Sequence, residues 1–548
     1  MTLRKPRLKS DLPKNATLSS WHPDAPGENG SPPEASEEIR EQTASTDGST
    51  RVAGTAERTR TSKRRLQRRI TPLDVLQQPV QAGMRKVFDL RRFLYVLAIT
   101  GAVLLMPQPE GLSVEGQRAL ALFAFTGAIL SLEPAPLPIA ALVVPIAQIA
   151  LGIDTASGAF APFGQPVVFL ILASLFLAES LRKHGLTRRL ALYAIVLSEG
   201  NFRRLLLGLM VITATLSMFV LNTATTAVLI PVAITIAQRI EQSEVAQRAL
   251  ALLILAIAYS ASIGAMATIM GSGENAIAAG MLSQAVGFGF LNWLVYGLPV
   301  VIVLVPVTWF LLSKSIPVPN VRIDTQPAAK EIARLGGLRG PEREIIGVLA
   351  IAIFLWVAGA WLEDRLHLPS TLLSSAVVAI GAVALLSIEE VIDWNDLRGV
   401  NWGVFFVIGA GLTLGDALNK TGASDWFASL LAPTLQGLPY ILVLTILIGS
   451  AFVLTQFMNN VTLGAIVAPI LVTLGQASGI PPERLVLPTV MGLALAYTLP
   501  SASARMTLAA VTGAVPGKDM MRSGLIVGIP SAVFLIVFYF ALVRFGLI

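Results

Sequence analysis

From Phe93 to Ile548 the chain returns repeatedly to apolar runs of about 20 residues, the length an α-helix needs to cross the roughly 30 Å hydrocarbon core of a bilayer. That recurrence points to one class, an all-α polytopic membrane protein. Hydrophobic residues fill 54% of the 548 positions and charged residues only 14%, which supports the class. Spans are expected near residues 93–108, 116–132, 136–153, 165–183, 250–283, 290–314, 344–362, 370–388, 402–418, 483–512 and 522–546, about 11 in all.

Two further apolar stretches, 205–238 and 440–476, are too long for one span and carry a polar cluster at the midpoint. The clusters read Asn222-Thr-Ala-Thr-Thr-Ala-Val-Leu-Ile-Pro231 and Asn460-Val-Thr-Leu-Gly-Ala-Ile-Val-Ala-Pro469, with both the Asn and the Pro repeated 238 residues further on. An unmet amide or hydroxyl at membrane depth costs several kcal/mol. Each stretch is therefore expected to be a re-entrant hairpin, and the two tips are expected to meet near mid-membrane as a candidate substrate site.

The repeat reaches beyond the hairpins. Phe169 to Gly185 parallels Phe406 to Gly422 at an offset of 237, sharing the Phe, the acidic-x-Leu register and the terminal Gly. After each hairpin comes a helix interrupted by small residues, Ser262-Ile-Gly-Ala-Met-Ala-Thr-Ile-Met-Gly-Ser-Gly-Glu-Asn275 and Leu499-Pro-Ser-Ala-Ser-Ala-Arg-Met506. Such breaks unwind a membrane helix, baring carbonyls for a cation and N-termini for an anion. The expected organisation is a disordered basic tail over 1–92, a first membrane repeat over 93–315, a linker over 316–343 and a second, inverted repeat over 344–548.

Charge sets the orientation. Residues 1–92 hold 18 Lys/Arg and 11 Asp/Glu, so they carry the whole formal net charge of +7. The cluster Lys63-Arg64-Arg65-Leu-Gln-Arg68-Arg69 reads as a solvated or lipid-contacting segment rather than a nucleic-acid binder. Its acidic neighbours argue against a transit peptide, and no cleavable signal precedes the first span. With this tail in the cytoplasm, the loops expected inside are rich in Lys/Arg and those outside are poor, as the positive-inside rule requires. Cysteine is absent, which excludes disulfides and thiolate metal sites, and His22, His184 and His367 are too scattered for a metal cluster. His184 is expected to be a solvated loop residue. No clustered nucleophile, base or metal ligands suggest an enzyme, and polarity confined to two tips argues against a channel.

These motifs resemble the divalent anion/sodium symporter family, the di- and tricarboxylate carriers of the ion transporter superfamily, over roughly residues 93–548. That family has a Ser-Asn-Thr signature at each of two opposed hairpin tips, followed by loops of the form Gly-Gly-x-Ala-Thr-x-x-Gly-Thr-x-x-Asn and Leu-Pro-x-Ala-Thr-Pro-Pro-Asn. Here the first signature is Leu221-Asn222-Thr223 with Ser217 just before it, and the first loop is Gly264-Ala-Met-Ala-Thr268-Ile-Met-Gly271-Ser272-Gly-Glu274-Asn275. Leu132-Glu-Pro-Ala-Pro-Leu-Pro138 and the Trp402 to Gly411 segment also look like the family. The resemblance implies one sodium site from Ser217, Asn222 and carbonyls around Gly264 to Gly271. A second would use Thr455, Asn460 and carbonyls around Pro500 to Ser503. Asn222, Thr223 and Asn460 would hold substrate carboxylates. Hard cations favour such oxygen ligands.

The second half departs from the pattern at Asn459-Asn460-Val461 and at Pro500-Ser-Ala-Ser-Ala-Arg505-Met506. Arg505 and Glu274 fall at equivalent places in their loops, and three readings of them stand. Arg505 binds the anion or replaces a sodium ion; Arg505 and Glu274 pair or snorkel to hold the fold; or Glu274 couples protons. The expected function is a sodium-coupled secondary transporter of small divalent or multivalent anions, C4-dicarboxylates first. The resemblance further implies an elevator movement, a homodimer and an integral inner-membrane location with the N-terminus cytoplasmic. Anion exchange, sulfate or arsenite transport, and sodium/proton exchange are the alternatives within the superfamily.

Overall fold

The computed structural model of the protein describes residues 88–319 and 321–548, so the expectations for the basic tail before residue 88 lie outside the described residues. Among the described residues the fold is all-helical, with a single isolated antiparallel bridge between Asn201 and Arg322. The first helices are α1 (Leu90–Leu105), α2 (Val114–Leu132), α3 (Leu137–Ala150), α4 (Ala156–Phe160), α5 (Pro166–Lys183) and α6 (Leu186–Leu197). The first hairpin is α7 (Phe202–Phe219) and α8 (Asn222–Ala237), followed by α9 (Ser243–Ala265), a 3-10 turn (Ile269–Gly271), α10 (Gly273–Val286) and α11 (Phe290–Ser315). Then come α12 (Gln326–Leu335), α13 (Gly340–Leu366), α14 (Ser375–Ile388), α15 (Trp394–Arg398), α16 (Gly403–Lys420) and α17 (Ala423–Gln436). The second hairpin is α18 (Tyr440–Leu454) and α19 (Asn460–Ser478), followed by α20 (Glu483–Leu493), a 3-10 turn (Pro500–Ala502), α21 (Ala504–Val511) and α22 (Gly517–Arg544).

Helix lengths repeat as the sequence does. The pairs α3/α14 and α4/α15 start and end 238 residues apart, α5/α16 start and end 237 apart, and α8/α19 start 238 apart. After α5 and α16 the chain turns at Gly185 (φ +71°) and Gly422 (φ +70°), a left-handed conformation open to glycine at little cost, so both helices stop at the same register. The two broken spans recur as well. Ser272 and Ser503 take extended backbone and cap α10 and α21, each hydroxyl accepting from the third amide of its helix at 3.4 Å.

Small residues let the two breaks pack tightly. A Cβ on Gly264 would collide with the Ala214 backbone, which brings α9 directly against α7. Gly297 of α11 abuts the Met266 backbone, and Gly524 of α22 abuts that of Tyr497, where an added Cβ would lie 2.7 Å from the carbonyl oxygen. The halves then exchange elements: α10 packs on α19 of the second hairpin, and α21 packs on α8 of the first. Side chains at that crossing are limited by Gly464, whose Cβ would meet the Glu274 Cβ at 2.7 Å.

Among the described residues six helices are long and apolar enough to cross a membrane, namely α7, α9, α11, α13, α19 and α22. A seventh span arises if α4, its 3-10 continuation and α5, bent by 47°, are taken together. Shorter apolar helices α3, α8, α14 and α18 add to them. The stretches 250–283 and 483–512, expected as single interrupted spans, are each two helices around an unwound turn. Outward faces are apolar, with Ile302, Trp361 and Val537 all more than half exposed, as a surface that meets acyl chains should be.

Two features depart from expectation. His184 is half-buried and its Nε2 donates to the Val391 carbonyl at 2.8 Å, because the end of α5 meets the segment ahead of α15. The segment 316–343 contains α12 and is fastened to α6: buried Arg189 pairs with Glu342 at 2.9 Å and donates to the Gly336 carbonyl at 2.8 Å.

Candidate functional site

Both hairpin tips open onto one cavity of about 190 Å³. Its wall is built from the first turns of six helices: Leu137 and Pro138 of α3, Asn222 and Thr223 of α8, Gly273 and Glu274 of α10, Gly403 and Val404 of α16, Asn460 and Val461 of α19, and Ala504 and Arg505 of α21. The aligned peptide dipoles give each helix N-terminus about half a positive charge. Six of them around one small volume make it electropositive before any side chain is counted, which is how backbone holds an anion.

On the first-hairpin side, Asn222 begins α8 and is 5% exposed. Its Oδ1 accepts from the Thr223 hydroxyl at 3.2 Å, and its carbonyl accepts from Thr226 at 2.8 Å. On the second-hairpin side the doubled asparagine divides its work. Asn459 caps α19, its Oδ1 accepting from the Val461 amide at 2.9 Å, and Asn460 reaches across to donate from Nδ2 to Glu274 Oε1 at 2.6 Å. The unusual Asn459-Asn460 pair thus replaces a capping residue and keeps the tip amide.

Glu274 and Arg505 occupy the second position of α10 and α21, the same place in the two repeats. Both side chains are fully buried and both line the cavity. They do not form a direct ion pair: among the described residues no Lys or Arg lies within salt-bridge distance of Glu274. Arg505 instead donates from Nη2 to the carbonyls of Ala494 at 2.9 Å and Ala496 at 3.3 Å, the frayed end of α20. Arg505 Nε and Glu274 Oε2 have no protein partner.

Of the residues expected at the site, Asn222, Thr223, Asn460, Ser503 and Arg505 share the cavity. Ser217, Gly264, Gly271 and Thr455 are not among its lining residues, and the bonds of Ser217 and Thr455 repeat between the halves. The Ser217 hydroxyl donates to the Ala261 carbonyl at 2.6 Å and the Thr455 hydroxyl to the Leu493 carbonyl at 2.8 Å. Each hydroxyl oxygen keeps lone pairs beside a loop rich in carbonyls, a donor set that fits a hard monovalent cation. Among the described residues no group of three His, Cys, Asp or Glu is placed to hold a metal.

Sequence reasoning missed Gln456. In the first loop Asn275 laces the unwound turn, donating to the carbonyls of Ala265 and Thr268 at 2.8 and 2.9 Å. Its counterpart Met506 cannot, and Gln456 does so from the hairpin. Its Oε1 accepts from the Tyr497 and Thr498 amides at 3.1 and 3.0 Å, and its Nε2 donates to the Phe452 and Leu495 carbonyls at 2.7 and 3.0 Å. The loss of the second-loop asparagine was the available signal.

A transporter of Haemophilus influenzae without an assigned substrate is 30% identical over 417 residues, covering 76% of this chain and 89% of that protein. The sodium-dependent dicarboxylate transporter SdcS of Staphylococcus aureus is 28% identical over 486 residues, covering 84% of this chain and 91% of SdcS. Among solved structures, the Alcanivorax borkumensis YdaH transporter matches with a TM-score of 0.49 at 14% identity, over 73% of this chain and 89% of that one. Residues 89–544 match the family described as the sodium:sulfate symporter transmembrane region. A match of that extent places the chain, an all-helical membrane transporter, in the divalent anion/sodium symporter family.

Proposed function

We propose that the protein is a sodium-coupled secondary transporter of small divalent or multivalent anions, C4-dicarboxylates first. The observation that carries this reading is the convergence of six helix N-termini, with Asn222, Thr223, Asn460 and Arg505, on one cavity. Carboxylates bind such groups through charge-assisted hydrogen bonds of about 1.5–3 kcal/mol each. Sodium ions would sit on Ser217, Asn222 and the Gly264–Gly271 carbonyls, and on Thr455, Asn460 and the carbonyls through Ser503. The kinship with a transporter named for sodium and dicarboxylates supports the same choice.

In this reading about 11 spans and two re-entrant hairpins form two inverted repeats, 93–315 and 344–548. The hairpins and broken helices move as an elevator against a dimeric scaffold in the inner membrane, with the N-terminus cytoplasmic. A second reading, anion exchange, is favoured by one observation: Arg505 puts a permanent cation in the second repeat, where a delivered sodium ion would otherwise supply charge. Uptake of labelled succinate into proteoliposomes, with sodium gradient and internal anion varied independently, tests both. Accumulation driven by sodium alone supports symport, and uptake that requires internal anion supports exchange. No saturable uptake under either condition overturns the proposal.

A further inference from the structure

The cavity holds one acidic and one basic side chain, Glu274 and Arg505, that line it together without forming a direct ion pair. Glu274 Oε1 accepts from the Asn460 amide, a neutral group, and its Oε2 has no hydrogen-bond partner among the described residues. Arg505 is braced by two neutral carbonyls and its Nε is unmet. A desolvated carboxylate and a desolvated guanidinium whose direct hydrogen-bond partners are all neutral are costly unless something in the cavity completes them. The two hold the second position of equivalent half-helices in the two repeats, and both line the cavity.

A plain dicarboxylate completes Arg505 and the helix N-termini but adds two negative groups beside the Glu274 carboxylate, with nothing to offset it. A molecule that carries an ammonium beside its carboxylates completes both. Resting on the reading of this cavity as the substrate site, we propose that the preferred substrate is an amino-bearing dicarboxylate of the aspartate kind. Its carboxylates lie on Arg505 and the hairpin tips, and its ammonium donates to Glu274. Glu274 is then the specificity-determining residue that separates an amino acid from the amine-free acid of the same length.

The test compares aspartate, malate and succinate, which differ only at C2, on the full-length protein in detergent by calorimetry and thermal shift, and by competition for uptake in proteoliposomes. Aspartate is expected to bind about tenfold or more tighter than succinate, the worth of one charge-assisted hydrogen bond in a dry site. Malate, with a neutral hydroxyl, should fall between them. In Glu274→Gln the order should collapse or reverse, while Arg505→Gln should weaken all three. The wild-type ranking stands even if a variant misfolds. Equal binding of aspartate and succinate overturns the proposal and leaves anion transport standing. So does stabilisation by sodium alone that is lost in Glu274→Gln with no preference for the amine, since the ion would then be what completes the carboxylate. Failure of all three acids to bind overturns the substrate-site reading itself.

Discussion

At the scale of single residues, the two tip asparagines do different things while sitting at the same register. Asn222 is bonded to its own neighbour Thr223, whereas Asn460 is bonded to Glu274 from the other repeat. Replacing either with alanine removes amide groups from a desolvated wall, where each unmet partner costs about 1–3 kcal/mol. Asn222→Ala and Asn460→Ala are each expected to abolish uptake with membrane abundance unchanged, and full transport by both purified variants would end the two-tip reading. Asn460→Ala should also lower thermal stability, because it strips Glu274 of that amide, while Asn222→Ala should not. Gln456 carries a purely structural prediction. Gln456→Leu leaves the Tyr497 and Thr498 amides unmet, at about 1–3 kcal/mol each, so a melting temperature equal to wild type would show that the second loop is held by something else.

Among elements, the contrast between what periodicity reveals and what it hides is sharp. The two helix breaks were legible because an asparagine inside an apolar run is expensive unless the helix breaks there, and both breaks occur, after Phe219 and after Leu454. The unwound turns were legible from the density of Gly, Ser and Pro. Helices α6 and α17 were not, since Arg188, Arg189 and Asp425 interrupt their apolar pattern. Nor was the Asn460–Glu274 bond, which joins residues 186 positions apart and depends on α10 crossing to the other repeat. The Arg189–Glu342 pair that clamps α6 to the start of α13 was equally invisible, because nothing in either local sequence names its partner. Breaking one side of a buried pair costs about 3–5 kcal/mol, whereas replacing both with apolar residues is often neutral. Arg189→Met and Glu342→Leu are each expected to destabilise by that order, with the double variant recovering most of it. Additive losses in the three melting curves would show that the two residues act separately.

Over the whole molecule, the repeats are tied to one another at two equivalent points. Lys183, at the end of α5, reaches Asp396 of α15 at 2.5 Å, and Lys420, at the end of α16, reaches Asp154 ahead of α4 at 2.9 Å. Each lysine therefore holds the five-residue helix region of the other repeat. The Lys420 hydrogen bond, ahead of the opposing effect of burial, holds the Asp154 carboxyl below the usual carboxylate range. A depressed folded-state value means that the tie contributes stability above the unfolded carboxyl value near pH 4 and loses it as pH falls through the lower folded value. Partly exposed pairs of this kind are worth about 0.2–1 kcal/mol, so the expected effect on melting is small and its pH dependence is the informative part. Lys420→Gln should melt slightly below wild type at pH 7, and the gap should close as the solution is acidified past pH 4. If the ties also restrain relative movement of the repeats, the double variant Lys183→Gln/Lys420→Gln should change the turnover rate of uptake with little change in substrate affinity. A melting gap that is constant between pH 3 and 7, with unaltered turnover in the double variant, would show that these two contacts neither stabilise the pairing of the repeats nor restrain their movement.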